Sequence, residues 1–469
     1  MRLHNRPTFF PILFLLTAAF LTGITVGPAV SLVEQCFLGA LGIDSAFAQD
    51  NNKTDTYGIL ALFGDVFEHV RSDFIDPVSD KELIENALKG MLAGLDPHSA
   101  YLNADELHEL EAEDKGEFSG IGVEVVEEHG FVRVVSAMPD APAFRAGIKA
   151  GDIIIGLNGL SILGLGEHII DKMRGPPNTK IRLTIKRQGV EHPLEVPIHR
   201  AIIHIRVVKQ RLHPGNIGYV RIAEFVDPVD AALRQAIKSL KRQAGGTLRA
   251  LVLDLRDNPG GLFDQAVAVA RDFIARGEIV STRSRYSEDG EWVGAKGTDI
   301  LDGAPMVVLI NSGSASASEV VAGALQDHHR AVLVGTRSFG KGSVQATIPL
   351  RDGAGILLTV ARYYTPSGHS IQGHGIVPDV PVADGRNGVP QFDPEHEGEL
   401  NHVLKNTGGV PDSEQPRVDL PLIVRTIPSK PPNDFPEFDP TKPETDFQLL
   451  EALAVAKAMV TEQNSTRAN

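Results

Sequence analysis

Ala250-Leu-Val-Leu-Asp-Leu255, followed at once by Arg256-Asp-Asn-Pro-Gly-Gly261, is the stretch that decides the fold. A short apolar run bounded by turn residues reads as a strand covered on both faces, the usual condition of a parallel sheet. The Pro-Gly-Gly turn ends that strand and leads into a helical candidate, Asp264–Ala275. The same alternation continues on both sides. Further strand candidates are Gly218–Phe225, Pro305–Ile310, Ala331–Gly335 and Gly355–Tyr364, and further helical candidates are Val229–Gln243 and Ser316–Gln326. From His199 to about Val382 the pattern predicts βα units around a mainly parallel, buried sheet.

Outward from this core the texture changes. Residues 116–190 read as short β-rich runs punctuated by glycine: Gly120–Val125, Val132–Val135, Ile153–Leu157 and Lys180–Lys186, with helices over Ala143–Ala146 and Glu167–Met173. Such an order predicts a small, partly open barrel whose exposed sheet edge accepts an extended peptide as one more strand. Residues 55–113 are helical in pattern, with Leu60, Phe63, Phe67 and Val70 at helical spacing, a capping box at Ser79-Asp-Lys-Glu82 and Gly94 closing the second helix. Beyond the core, 11 of the 30 prolines fall within the 54 residues from Pro390 to Pro443, which excludes a long helix or inner strand and leaves a linker or a surface-wrapping tail. A second capping box, Thr445-Asp-Phe-Gln448, opens an amphipathic helix to about Val460.

The first 48 residues look like a targeting segment. Arg2 and Arg6 precede an uncharged apolar stretch from Phe9 to Val33, and Ala46-Phe-Ala48 is a small-x-small cleavage pattern. The stretch is also long enough to serve as a retained anchor, and either outcome exports the bulk of the chain to the periplasm or another extracytoplasmic space. The single cysteine, Cys36, lies inside this segment, so neither an intramolecular disulfide nor a thiolate metal cluster is available. The 60 acidic residues against 45 basic ones give a net charge of −15, which opposes the phosphate backbone of a nucleic acid and puts that partner class last.

Three loops at strand ends carry the candidate chemistry. In Asp254–Gly261 the two adjacent glycines either free backbone N–H groups for an anion or simply turn the chain. In Asn311-Ser-Gly-Ser-Ala-Ser-Ala-Ser-Glu319 a serine at a helix start has N–H dipoles beside it to stabilise an oxyanion, although Ser316-Ala-Ser-Glu319 is also a plain capping box. In Ser338-Phe-Gly-Lys-Gly-Ser-Val-Gln345 a lysine between glycines follows a buried run; it is either a loop lysine in water or, when desolvated, a base for a serine. No phosphate loop is formed, because Lys341-Gly342 lacks the hydroxyl neighbour. Histidine-based schemes fare worse: the 16 histidines include neither a Gly-x-Ser-x-Gly elbow nor a His-Glu-x-x-His pair, His328-His329 falls at the polar end of a helix, and His98 reads as a surface or capping residue.

Taken together, these motifs make the chain resemble the carboxy-terminal processing peptidases, tail-specific serine proteases. The likeness rests on Leu95–Leu102, the PDZ-like module from Gly116 to about Gln188, Asp254–Gly261, Ser314–Glu319, Phe339–Gln345, Ala361–Gly368 and Gly375–Asp379. It implies an α/β fold: a mixed, mainly parallel protease core (191–385) with an inserted PDZ-like β-rich domain (116–190) and an N-terminal helical segment (49–115). The Pro-rich tail (386–444) and C-terminal helix (445–469) follow.

The family pairs a serine with a lysine 25 positions later, which selects Ser316 with Lys341 over Ser314 and Ser318. By the same likeness Gln345 orients the lysine, Ala317 and Gly260-Gly261 supply oxyanion donors, and Gly120, Ile121 and Gly122 meet the substrate's terminal carboxylate. The implied activity is acyl-transfer hydrolysis of protein C-termini, without a metal or organic cofactor. Asp257 and His369 depart from the family pattern, and Asp257 stands where it would alter charge beside the oxyanion turn. The rival class is an inert PDZ scaffold that holds peptides without cutting them. Membrane association through the leader, and self-association through the tail and terminal helix, are the further partner expectations.

Overall fold

The computed structural model describes residues 51–128, 131–162, 172–286, 290–385, 396–408, 420–439 and 442–468. The leader with Cys36, and all but the last two residues of the helix expected over Glu167–Met173, lie outside the described residues. The chain divides into two compact units, one ending at Ile84 and the other beginning at Glu85. No helix among the described residues is long and apolar enough to cross a membrane.

Helix α1 (Asn51–Asp73) comes first, then α2 (Asp80–Ala93), whose start is capped by the Ser79 hydroxyl accepting the Glu82 N–H at 3.2 Å. Strand β1 (Ala100–Leu102) and α3 (Ala104–Asp114) precede a ribbon of β2 (Glu117–Gly120). Next is the β-rich module: β3 (Val123–Glu128), β4 (Phe131–Ala137), α4 (Pro142–Arg145), β5 (Ile153–Leu157), β6 (Leu160–Ser161), β7 (Lys180–Lys186) and β8 (Leu194–His199). These strands form an antiparallel sheet in the order β3-β4-β5-β7-β8, with β3 at one edge. Its own core includes Val134, Ile154, Ile181, Leu183 and Ile185. Strand β9 (Ala201–His204) leaves the module and pairs antiparallel with β2. The entering and leaving strands are thus tied to each other, as an insertion into a host domain requires.

The host begins with β10 (Val208–His213), β11 (Ile217–Ile222), α5 (Val229–Gln243), β12 (Ala250–Asp254), α6 (Phe263–Arg271), β13 (Glu278–Ser284) and β14 (Trp292–Gly294). It continues with β15 (Met306–Ile310), α7 (Ala317–Asp327), β16 (Val332–Gly335), β17 (Ser343–Pro349), β18 (Gly355–Tyr364) and β19 (Val380–Pro381), then α8 (Leu422–Arg425) and α9 (Phe447–Ala468) in the tail. The main sheet runs β10-β11-β12-β15-β16-β19 and is parallel from β11 onward, only β10 being antiparallel. Side chains of β12 alternate between two cores. Leu251 and Leu253 pack with α5, α6 and α7, while Val252 packs with α9 through Leu449, Val455 and Ala456. Burial on both faces is why this strand carries an apolar residue at every position but Asp254.

Two expectations differ from this architecture. Gly355–Tyr364 does not join the parallel sheet. It is the centre of a second, antiparallel sheet with β1, β13, β14 and β17. Its side chains are mostly half-buried, the pattern of a sheet with one open face. The terminal helix is capped one residue later than the sequence box implied. The Asp446 carboxylate accepts the Leu449 N–H at 3.0 Å, while the Thr445 hydroxyl turns to the Lys442 carbonyl at 2.7 Å. That helix also runs on to Ala468.

Candidate active site

Strands β12, β15 and β16 end side by side, so the loops that follow them meet at one edge of the parallel sheet. Hydrogen bonds stitch the first two loops together: Ala315 N–H to the Asn258 carbonyl (3.0 Å), the Ser318 hydroxyl to the same carbonyl (3.0 Å) and the Ser314 hydroxyl to the Leu255 carbonyl (2.7 Å). Two of the three alternating serines are therefore committed to backbone carbonyls as braces.

Ser316 differs from its neighbours in its backbone. It sits immediately before α7 with φ 51° and ψ −112°, a conformation disfavoured for a residue with a Cβ and costing on the order of 1–3 kcal/mol. Strain of that kind persists only where the surroundings enforce it. Gly260 (φ +113°) presses against this turn so closely that a Cβ there would lie 2.8 Å from Ser316 Cβ and 3.1 Å from the Ala317 nitrogen. Gly261 (φ +122°) is equally confined, since an added Cβ would meet the Phe225 carbonyl oxygen at 2.4 Å. Both positions require glycine.

Lys341 lies on the crossing from β16 in the parallel sheet to β17 in the antiparallel one. The residue that joins it to Ser316 is Glu319, fully buried in the first turn of α7. One oxygen, Oε2, accepts both the Ser316 N–H (2.8 Å) and the Lys341 N–H (2.9 Å). The other, Oε1, accepts the Gly340 N–H (2.7 Å) and the Ser338 hydroxyl. Burial pushes the Glu319 carboxyl up to about 7 against these four donors. Burial likewise pushes the Lys341 ammonium below its ordinary value, opposed by the negative charges of Glu397, then Glu319 and Asp96. The balance favours a neutral amine more than water would.

The remaining predicted residues fall around this centre with some differences. Gln345 Nε2 donates to the Ser343 (2.9 Å) and Thr359 (3.1 Å) hydroxyls rather than to Lys341. The Thr359 hydroxyl donates to Asp96 at 3.0 Å, which leaves its oxygen free to accept from Gln345. Among the expected oxyanion donors, the Ala317 and Gly261 N–H groups have no acceptor among the described residues. The Gly260 N–H is occupied by the Asn258 side chain at 2.9 Å. Asp257 (φ +56°) exchanges hydrogen bonds with Asn311 and lies 3.6 Å from Arg221, so its charge is locked into the β12–β15 join. Gly120, Ile121 and Gly122 end β2 and lead to the edge strand β3. Their link is held by Ala143 N–H to the Ile121 carbonyl (2.9 Å) and Met138 N–H to the Gly122 carbonyl (3.0 Å).

Sequence reasoning missed two participants. Glu319 was read only as the distal half of a capping box. Glu397, from the Pro-rich tail, is fully buried, and both its oxygens lie 2.9 Å from Nε2 of His98, which is half-buried and paired rather than free at the surface. An acidic residue directly beside the Ser-Ala-Ser run was the only sequence signal for the first. Nothing local marked the second.

The sequence places the chain in a known lineage. A protein of Bartonella bacilliformis named carboxy-terminal-processing protease is 50% identical over 334 residues, covering 71% of this chain and 77% of that one. The chain belongs to the carboxy-terminal processing peptidases of family S41. The sequence model of that peptidase family matches residues 216–382, a PDZ domain model matches 133–187, and the "Activating protease CtpB N-terminal domain" matches 38–106. A protein of Staphylococcus epidermidis named "Probable CtpA-like serine protease" is 35% identical across 72% of this chain and 70% of its own length. A solved structure titled photosystem II D1 C-terminal processing protease shares 33% identity over 68% of this chain and 86% of that one, with a TM-score of 0.42. This peptidase is thus a serine-type, carboxy-terminal processing protease with a PDZ domain. The relatives are proteases, and none favours the inert scaffold.

Proposed function

We propose that Ser316 is the nucleophile and Lys341 the general base of this peptidase, acting on the C-terminal segments of exported proteins. The observation that carries the reading is Glu319 Oε2, which accepts the backbone N–H of both residues and so holds two loops 25 positions apart against one atom. Neutral Lys341 takes the Ser316 proton as the hydroxyl oxygen bonds to the scissile carbonyl carbon. The oxyanion so formed is met by the Ala317 N–H at the start of α7, where the helix dipole adds to it, and by the Gly261 N–H of the turn that precedes α6. The carbon–nitrogen bond then breaks, and lysinium protonates the departing amine. Water gives a proton to the same lysine as it bonds to the ester carbon; the bond from that carbon to Ser316 Oγ then breaks, and lysinium returns the proton to Oγ. Gln345 positions the lysine through its amide oxygen, and Gly260 serves mainly by allowing close approach.

In this reading the edge of β3 takes the substrate's tail as an added strand, with its terminal carboxylate at Gly120–Gly122. The leader carries the chain out of the cytoplasm, cleaved after Ala48 or kept as an anchor, which N-terminal sequencing of the exported protein distinguishes. The apolar face of α9 packs within the chain, Val455 and Ala456 being fully buried.

The test is cleavage of an unfolded protein with an apolar C-terminus. Ser316→Ala is expected to lower the rate by at least about 10⁴-fold. Lys341→Arg, which keeps charge but does not deprotonate, is expected to abolish turnover at neutral pH. Wild-type rates in either variant would eliminate the dyad.

A further inference from the structure

The tail that follows the parallel sheet returns to the lysine loop at one residue. Glu397 donates its N–H to the Phe339 carbonyl at 2.9 Å, two positions before Lys341. Its carboxylate accepts from the Gln372 side-chain Nε2 at 3.0 Å, and Oε1 of the same side chain accepts the Gly342 N–H at 3.2 Å. On its other side the same carboxylate meets Nε2 of His98, from the turn that precedes β1. Residues about 300 positions apart in the chain thus close around the backbone on both sides of Lys341.

We infer that Glu397 and His98 form a positioning pair that controls how readily Lys341 gives up its proton, and that the tail is thereby a functional part of the active site. The inference rests on the reading of Lys341 as the general base. A strap alone would need only hydrogen bonds, which a neutral amide supplies without the desolvation cost of a buried carboxylate. A negative charge beside a lysine that must work uncharged acts against that lysine. Holding both oxygens of the carboxylate on an imidazole is the arrangement that limits its field. The other charged groups acting on the ammonium are Glu319 from α7 and Asp96 from the His98 turn. Asp96 is itself saturated by the Ser99, His98 and Thr359 donors. Around Glu397 the flanking titratable groups in the chain are His396 and Glu399, with His374 on the Gln372 turn.

The experiment is the pH dependence of kcat/KM for the full-length protein, its Glu397→Gln and His98→Ala variants, and Lys341→Ala. Removing the carboxylate takes away a charge that favours lysinium, so the acid limb of the Glu397→Gln profile moves to lower pH by about 0.5–1 unit. Removing the imidazole exposes Lys341 to more of the carboxylate's field, so the His98→Ala limb moves to higher pH. A purely structural strap would lower kcat and thermal stability in both variants while leaving the limb in place, and that result overturns the inference. Should Glu397→Gln not fold, His98→Ala alone decides between a moved and an unmoved limb. Cleavage retained in Lys341→Ala would instead remove the general-base reading itself, so the two failures are distinguishable.

Discussion

At the scale of single residues, the decisive side chain is one that takes no part in bond making. Glu319 is an acceptor for three N–H groups and one hydroxyl, drawn from two loops. A carboxylate satisfies four donors with two oxygens and needs no donor of its own, whereas a carboxamide would direct its NH₂ group at backbone N–H groups. Glu319→Gln is therefore expected to lower stability by about 2–4 kcal/mol. It should also cut kcat/KM by about 100-fold through loss of registration between Ser316 and Lys341. Urea unfolding and the peptidase assay check the two effects, and a variant with both unchanged would refute the joining role. The capping-box half of this arrangement was legible in Ser316-Ala-Ser-Glu319. The other half was not, because its donors lie 19 to 22 positions further on and only the fold brings them in.

At the scale of elements, the site depends on the fit between β12 and α9. Arg256, at the end of β12, is almost fully buried. It forms paired contacts with Asp254 (Nε–Oδ1 3.0 Å, Nη2–Oδ2 2.7 Å) and with Asp446 (Nη1–Oδ1 2.9 Å, Nη2–Oδ2 2.7 Å). Asp446 caps α9, so the terminal helix is keyed to the strand that carries the Gly260-Gly261 turn. Burial alone would raise the Asp254 carboxyl, but the Arg256 guanidinium overrides it and holds the group well below the usual carboxylate range. A carboxyl depressed in the folded state contributes stability above its unfolded value, near 4, which is lost as pH falls through the folded value. Acid unfolding should thus set in below about pH 4. Asp446→Asn, which leaves Arg256 with a single carboxylate, is expected to lower stability at pH 7 by about 2–3 kcal/mol and to slow turnover. Equilibrium denaturation across pH 2–7 measures both trends, and an unaltered midpoint in the variant would rule out the link. The strand was readable from six residues, but its charged closure was not. Asp254 and Arg256 stand two apart, while Asp446 arrives from 190 positions away.

At the scale of the whole molecule, the parallel core was legible because burial on both faces leaves continuous apolar runs in β12, β15 and β16. The antiparallel sheet was not. Its strands are half-exposed, and pairings such as Ser281 with Tyr364 and Ala100 with Leu357 join distant segments, although β17 and β18 pair across a short turn that carries Asp352-Gly353. The tail was readable only as irregular. Proline density forbids a long helix or an inner strand but does not show that Leu420 and Val424 enter the second core or that Glu397 reaches the lysine loop. Of the site, the Ser316–Lys341 spacing was legible through family likeness. The engagement of the Gly260 N–H by Asn258, and of the Gln345 amide by two hydroxyls, was not, since both depend on side chains settled by packing. The central claim is that Ser316 alone is made nucleophilic, and by an uncharged Lys341. Reaction of the full-length protein with a fluorophosphonate, followed by peptide mass mapping, tests it most directly. The account predicts one adduct, on Ser316, forming faster as pH rises through the lysine's titration and absent in a folded Lys341→Ala variant. An adduct on Ser314, Ser318 or another residue, or labelling of Ser316 undiminished without Lys341, would contradict it.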